Sequence, residues 1–208
     1  TLNAMMAATL MGGLTACAPL VVGGVATGVL VASDRRTSGM QLEDEGIELR
    51  AANRLRDALG DRANVSVTSY NRQVLLTGEV PTEQDKANVE RMIGQIENVR
   101  SVVNELAVMG NTTLSQRSND VLVSGRVKAA IVDARDLTVH AFKTVTERGT
   151  VYLMGRVTQR EATRVTEVVR AVQGVQRVVR VLEVISEEEL ARIQPKTDTK
   201  PAQGPATN

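Results

Sequence analysis

Few side chains in this sequence could act as nucleophiles or bind soft metal ions. The chain of 208 residues has one cysteine, Cys17, and one histidine, His140. A lone cysteine forms no intrachain disulfide and no cysteine-rich metal site, and Cys17 lies in an uncharged head (residues 1–33), far from His140. We therefore expect no enzyme activity, no metal and no cofactor, and take His140 as a polar loop residue before a strand. The chemistry that remains is modification of the Cys17 thiol.

The sequence before Cys17 has the features of an export signal. Residues 2–16, LNAMMAATLMGGLTA, match the apolar region of a signal peptide and end in small residues. The tetrapeptide that ends at Cys17, LTAC, resembles the lipobox of bacterial lipoproteins. This resemblance implies cleavage before Cys17, a diacylglyceryl group on its thiol and an acyl group such as palmitate on its amine. Stable anchoring needs at least two such chains.

These features predict three segments before the folded part. We expect a signal peptide with a truncated start at residues 1–16, and the lipidated Cys17 followed by a tether at residues 17–45. Ala18, rather than an aspartate, implies sorting to the outer membrane, where the anchored protein would face the periplasm. The alternative is a transmembrane helix over residues 14–33, which has about the right length but contains Pro19 and three glycines.

A repeat organises the polar part of the chain. VLLTGEV (residues 74–80) recurs as VYLMGRV (151–157), so that Val74 aligns with Val151. Apolar stripes spaced i, i+3, i+4, i+7 follow in both copies, at 89–96 and 165–172, and predict amphipathic helices. β-branched runs at 99–108 and 175–184 predict a closing strand.

Each copy also opens with an amphipathic helix. The apolar stripes of these helices align Ala51 and Leu55 with Val123 and Val127, which places a five-residue insertion near residues 133–141. The element order αββαβ, the strand pattern V-x-L-x-G-x-V and the G-V-x-x-V entry to the last strand resemble the BON domain of bacterial envelope proteins.

The resemblance implies an α+β fold with two tandem αββαβ BON domains, each a three-stranded mixed sheet packed against two helices. We expect the domains at residues 46–109 and 118–186, a linker at 110–117, and a short helix with a disordered tail at 187–208.

The lipobox, the two copies and the SND motif at 118–120 further resemble dual-BON outer-membrane lipoproteins. For such proteins the resemblance implies binding of anionic phospholipids, such as phosphatidylglycerol and cardiolipin, through the second copy. It also implies support of envelope integrity and association with outer-membrane assembly or division-site proteins. The charge distribution agrees, since the net charge is −1 over residues 46–109 and +4 over 118–186. The alternative is that these charges form an ordinary solvated surface.

The first helix of the second copy carries the candidate lipid-binding residues. Leu122 points about 120° away from the apolar core stripe, and in the alignment of the stripes its counterpart is Arg50. We expect Leu122 to enter the headgroup region, with Gly125, Arg126 and Ala129 on the same side. The lipid-binding family pattern has an aromatic residue at this position. The alternative is that Val121 and Leu122 pack against the first copy or the linker.

Two other classes of function can be compared with lipid binding. A tethered protein–protein scaffold with no lipid contact beyond its acyl chains is the alternative function. Nucleic-acid binding has no support, because 25 basic residues nearly balance 24 acidic ones and aromatic residues are almost absent.

Overall fold

Each repeat folds into a small mixed sheet backed by two helices, so the predicted α+β fold is confirmed. The computed structural model describes residues 34–110 and 113–193. The predicted signal peptide, Cys17 and the predicted disordered tail therefore lie outside the described residues. The first repeat contains α1 (Ser38–Leu59), β1 (Asn64–Tyr70), β2 (Gln73–Val80), α2 (Glu83–Gly94), β3 (Ser101–Asn104) and β4 (Ala107–Val108). The second contains α3 (Leu114–Asp133), β5 (Phe142–Glu147), β6 (Thr150–Val157), α4 (Gln159–Arg170), β7 (Arg177–Val184) and the final helix α5 (Glu187–Ile193).

Both sheets have the same topology. The hairpins β1–β2 and β5–β6 are antiparallel, and the strand after the second helix of each repeat pairs in parallel with the central strand. In the second repeat this closing strand is continuous, whereas in the first it is divided into β3 and β4. Asn104 accounts for the break, because its side-chain oxygen accepts the backbone N–H of Leu106 at 3.2 Å.

The helices that open the repeats begin earlier than the sequence predicts. Thr37 caps α1 by accepting the N–H of Met40, so residues 38–45, assigned above to the tether, belong to this helix. Thr113 forms a capping box with Gln116 at the start of α3, which therefore begins inside the predicted linker at 110–117. The short helix α5 begins after Ser186, whose hydroxyl accepts the N–H of Glu189.

The structure also corrects the alignment of the opening helices. Asp44 in α1 accepts the N–H groups of Asn71 and Arg72 in the β1–β2 turn, both at 2.8 Å. Asp120 in α3 accepts the N–H groups of Arg148 and Gly149 in the β5–β6 turn, at 2.8 and 2.9 Å. Because these two aspartates are equivalent, the alignment predicted from the apolar stripes was wrong by one helical turn. The counterpart of Leu122 is Gly46, not Arg50, and the insertion near residues 133–141 is one residue rather than five.

The two sheets pack against each other and leave the helices on the outside. In each repeat one sheet face joins its two helices in a core that includes Ile47 and Val74 in the first repeat, and Val127 and Leu153 in the second. The other faces meet in a third apolar cluster. Its buried members are Tyr70, Leu75, Tyr152, Met154 and Val181. The molecule therefore has four layers: helices, sheet, sheet, helices.

Ion pairs and hydrogen bonds between the two repeats surround the apolar contact between the sheets. Arg148 at the tip of the second hairpin pairs with the fully buried Glu79 of β2. Asn71 at the tip of the first hairpin donates to Glu183 of β7 at 2.6 Å. Arg177 pairs with Glu105 at 3.0 Å across the same contact. Each hairpin tip thus binds a carboxylate of the other repeat.

Candidate functional site

The outward side of α3 is an apolar strip. Leu122, Val121 and Val132 are 60%, 71% and 60% exposed, and Leu114 at the start of the helix is 81% exposed. Gly125 and Ala129 are also exposed. We call this strip the outer face of α3, formed by Leu114, Val121, Leu122, Gly125, Ala129 and Val132.

The sequence of α3 gives the helix two apolar stripes. Val123, Val127 and Ile131, spaced by four, face the core and are at most 1% exposed. Leu114, Val121, Gly125 and Val132 are spaced by seven, four and seven, and at about 100° per residue they point within about 20° of a common outward direction. Leu122 and Ala129 border this line. A helix that is apolar on both sides has a buried face and a second face available for another partner.

All four residues predicted to bind lipid lie on the exposed part of α3. Leu122, Gly125, Arg126 and Ala129 occupy neighbouring positions on that side. The alternative in which Val121 and Leu122 pack against the first repeat is not observed in the described structure, since both side chains are largely exposed. Leu114 and Val132 were not among the residues predicted to bind lipid. The heptad-like spacing of the outward residues was the signal that could have found them.

Cations border the outer face of α3. Arg126 lies on one flank and donates to the carbonyl of Gln173 at 3.4 Å, which orients its guanidinium. Arg117 and Lys128 lie on the other flank, and Arg135 follows the helix; all are exposed. Within residues 34–110 and 113–193, none of these four cations forms an ion pair. The helix has two acidic residues. Asp120 is buried against the β5–β6 turn, whose N–H groups it accepts, and Asp133 is exposed.

Three cations of the second repeat are neutralised in its contact with the first repeat. Arg148 pairs with Glu79, Arg177 with Glu105, and Lys143 with Glu48 at 2.9 Å, all in the contact with the first repeat. Arg170 of α4 and Arg180 of β7 are exposed and also form no ion pair with a described residue, so the excess positive charge of the second repeat lies along α3 and at these two positions.

Helix α1 provides an internal comparison for α3. It also exposes two leucines, Leu42 at 69% and Leu49 at 65%. Glutamates at positions 43, 45 and 48 lie beside them, and Arg50 pairs with Glu43 at 2.8 Å. Helix α1 thus combines exposed apolar residues with acids, whereas α3 combines them with unpaired bases.

The segment that precedes α1 is fastened to the second repeat. Arg35 is 7% exposed and donates to both oxygens of Glu161 at 2.7 Å, and also to the carbonyl of Arg156 at 2.8 Å. Glu161 belongs to the capping box of α4 and accepts the N–H of Thr158. Burial acts to raise the pKa of the Glu161 carboxyl, but the bonds from Arg35 and Thr158 outweigh burial and hold the pKa below its ordinary value.

This fastening brings the start of the described chain close to α3. Asp34 and Arg36 line one side of a groove whose other side includes Lys128 and Val132 of α3. Arg36 pairs with Asp34 and Asp44 at 2.8 Å and lies 4.3 Å above the centre of the Tyr70 ring. The described chain therefore begins beside the second repeat.

Neither a membrane span nor a metal cluster occurs in the described parts of the chain. No helix within residues 34–110 and 113–193 is long and apolar enough to cross a membrane. The same residues contain no group of three or more His, Cys, Asp or Glu side chains arranged to hold a metal ion. Cys17, the predicted lipidation site, lies outside them, so its modification stays a prediction.

The repeated fold is that of a tandem BON-domain protein. The BON domain family profile matches residues 43–110 and 119–186, and the chain belongs to this family. Over 157 residues it is 35% identical to the outer membrane lipoprotein DolP of Haemophilus influenzae, covering 74% of this chain and 81% of that protein. It is also 30% identical over 136 residues to a 21 kDa hemolysin of Actinobacillus pleuropneumoniae, covering 64% of this chain and 70% of that protein. The likeness to DolP confirms the predicted outer-membrane localisation.

Proposed function

We propose that this protein is a periplasm-facing lipoprotein, acylated on Cys17, that contacts anionic phospholipid through the outer face of α3 and thereby supports the integrity of the envelope. The observation that carries the proposal is the exposed apolar strip on α3, bordered by cations that form no ion pair with any described residue. The similarity to an outer membrane lipoprotein supports the location.

The apolar part of this surface is suited to shallow insertion. Helices that lie in the membrane interface place one apolar face at the boundary between headgroups and acyl chains, with basic residues at its sides. Complete burial of a valine or leucine side chain contributes about 1.5–3 kcal/mol. Leu122, Val121 and Val132 together provide enough apolar surface for weak, reversible binding, and Gly125 leaves a shallow surface between them.

The charged part of the surface favours anionic lipid. Each lysine or arginine near an anionic bilayer contributes about 1 kcal/mol, and this contribution is screened by salt. Arg117, Arg126 and Lys128 lie on the two flanks of the strip, and only Asp133 opposes them on the exposed part of the helix. Binding should therefore need anionic headgroups and weaken as salt increases.

The position of the tether supports the same surface. Arg35 holds the start of the folded body on the second repeat, and Asp34 lies across a groove from α3. The described chain therefore begins beside α3, on the side of the protein that we propose contacts the bilayer.

Vesicle sedimentation tests the proposal. The chain from residue 17, with Cys17→Ser so that no acyl group is attached, is mixed with phosphatidylcholine vesicles with or without phosphatidylglycerol. Leu122→Glu replaces an exposed leucine of the outer face, and Leu49→Glu makes the same change at a similarly exposed position on α1. We expect sedimentation only with anionic vesicles, at least about tenfold weaker affinity for Leu122→Glu, and no change for Leu49→Glu.

The result also separates the two functional classes. If the Cys17→Ser chain with no further substitution does not bind anionic vesicles at low salt, the proposal of direct lipid contact is wrong. The outer face of α3 is then a surface for a protein partner, as expected for a tethered scaffold, because apolar residues spaced by four and seven along a helix also suit a helix-binding groove. Equal losses for Leu122→Glu and Leu49→Glu would show that the contact is not made by α3.

A further inference from the structure

A groove of about 890 Å³ lies beside the second half of α3. It is bounded by α3, by the start of β5 with the turn before it, and by the segment that precedes α1. Its apolar floor includes Ile131, Val139, Phe142 and Tyr70. A volume of this size is within the range of small-molecule sites in proteins, which are mostly apolar with a few polar groups.

Basic groups ring this apolar floor. Arg36, Lys128, His140 and Lys143 all line the groove, and Asp34 is the single carboxylate in its lining. Arg36 is paired with Asp44 and with Asp34, which itself lines the groove, and Lys143 is paired with Glu48. Lys128 and His140 are exposed and form no ion pair with any residue of the described chain. The groove therefore offers Lys128 and His140 to an incoming anion, whereas Arg36 and Lys143 already have acidic partners.

The groove is continuous with the outer face of α3. Lys128 and Val132 belong to both, since Val132 is part of the apolar strip and Lys128 lies on its flank. A molecule at the surface of a bilayer in contact with α3 could reach the groove without leaving the protein surface. This continuity favours an amphiphile over a free anion, because a free anion would leave the apolar floor uncovered.

We propose that the groove binds one anionic phospholipid molecule. Its phosphate lies near Lys128, His140 and Arg36, and its glycerol and upper acyl chain cover Val132, Val139 and Phe142. The inference rests on the proposed function, since it adds a site for a single lipid to the surface that contacts the bilayer. It assigns a role to the segment before α1, because Arg36 forms one wall.

Proton NMR of two aromatic rings tests the groove directly. His140 is the only histidine and Phe142 the only phenylalanine of the chain, so their ring signals are unambiguous reporters inside the groove. The chain from residue 17 with Cys17→Ser is titrated with dihexanoyl phosphatidylglycerol below its micelle concentration. Dihexanoyl phosphatidylcholine and glycerol phosphate are titrated separately. We expect saturable shifts of both signals with the anionic lipid only.

Three charge or polarity changes locate the site. Lys128→Glu removes a groove cation and should weaken binding of the monomeric lipid by at least about fivefold. Arg170→Glu makes the same charge change at an exposed cation of α4 outside the groove lining and should leave this binding unchanged. Leu122→Glu lies outside the groove lining and should also leave it unchanged, although it should reduce binding to vesicles.

The outcomes for groove and surface are distinguishable. If vesicles bind but dihexanoyl phosphatidylglycerol shifts neither ring signal, the groove inference is overturned and the proposed function stands. If glycerol phosphate produces the same shifts with the same affinity, the groove binds small anions and the inference is likewise overturned. If the monomeric lipid binds as expected but vesicles do not, the groove inference holds and contact of α3 with a bilayer is excluded. Equal losses for Lys128→Glu and Arg170→Glu would place the lipid outside the groove.

Discussion

Replacing Arg35 by methionine tests whether the segment before α1 is a structural part of the second repeat. The guanidinium donates to both Glu161 oxygens at 2.7 Å, and the two side chains are only 4% and 5% exposed. Methionine keeps much of the apolar stem but leaves the carboxylate buried without its cation. Removal of one partner from a buried ion pair costs about 3–5 kcal/mol. We expect about 3 kcal/mol, because Glu161 keeps its bond from the Thr158 N–H.

Thermal and denaturant unfolding of the unacylated chain would measure this loss. For a folded body of this size, 1 kcal/mol corresponds to about 2–4 °C in Tm, so Arg35→Met should lower Tm by roughly 6–12 °C. Arg160→Met is the matched control. Its ion pair with Glu187 is 4.0 Å long between side chains that are 63% and 59% exposed, so it should cost less than about 1 kcal/mol.

The pH dependence of the stability lost in Arg35→Met shows whether the loss comes from the Glu161 carboxylate. The pKa of Glu161 lies below its ordinary value in the folded protein, so its stabilising contribution is present above the ordinary glutamate pKa of about 4.3 and is lost as pH falls through the folded value. Without Arg35, burial favours the protonated carboxyl. The difference between wild type and Arg35→Met should therefore begin to shrink above the ordinary glutamate pKa of about 4.3, where the buried carboxyl of the variant takes up a proton, and continue to shrink until the pH falls through the lowered pKa of Glu161 in the wild type. A difference that does not change with pH, or equal Tm values for Arg35→Met and Arg160→Met, would refute this reasoning.

Two further predictions concern the hairpins. Gly78→Ala should destabilise the first repeat by at least about 2 kcal/mol, measured by denaturant unfolding, because the added Cβ would lie 2.0 Å from the Asn64 carbonyl oxygen at a φ of +107°. Asp120→Ala should cost about 3 kcal/mol in the same assay. It removes the acceptor of the Arg148 and Gly149 N–H groups, and hydrogen bonds to a charged partner contribute about 1.5–3 kcal/mol each.

Each of these changes has a control in the same chain. Gly125→Ala lies in an exposed helix with no atom within 4 Å of the new Cβ, so it should stabilise by about 0.5–1 kcal/mol. Asp136→Ala removes an exposed, solvent-screened ion pair with Arg164 and should leave stability close to that of the wild type. Equal effects of Gly78→Ala and Gly125→Ala, or of Asp120→Ala and Asp136→Ala, would contradict the assigned roles.

The elements were predictable from sequence, but the alignment of the opening helices was not. An amphipathic stripe spaced by three and four looks almost the same after a shift of one helical turn, so apolar residues alone cannot choose between the two alignments. The choice is made by Asp44 and Asp120, which hold the hairpin turns through bonds between groups far apart in the sequence. In the sequence, the correct alignment of the opening helices is therefore indicated by two polar residues, Asp44 and Asp120, rather than by the apolar stripes.

The contact between the sheets could have been predicted from the apolar pattern of the two central strands. A strand covered on one face alternates apolar and polar residues, whereas one covered on both faces is a nearly continuous apolar run. VLL at 74–76 and VYLM at 151–154 are such runs, and Leu75, Tyr152 and Met154 form the contact between repeats. The exposed Leu122 could be predicted from helical periodicity. The groove could not be predicted from sequence, because one of its walls contains Arg36, whose position depends on ion pairs with Asp34 and Asp44.

The back-to-back sheets have a consequence for how the protein behaves at low abundance. Each repeat covers an apolar surface of the other that would be open to water if the repeats were separate molecules. Two separate molecules would associate only above a threshold set by their dissociation constant. Because one chain joins the repeats through a few residues after Gly110, each has its partner at an effective concentration in the millimolar range. The pairing therefore does not depend on how many copies of the protein the cell makes.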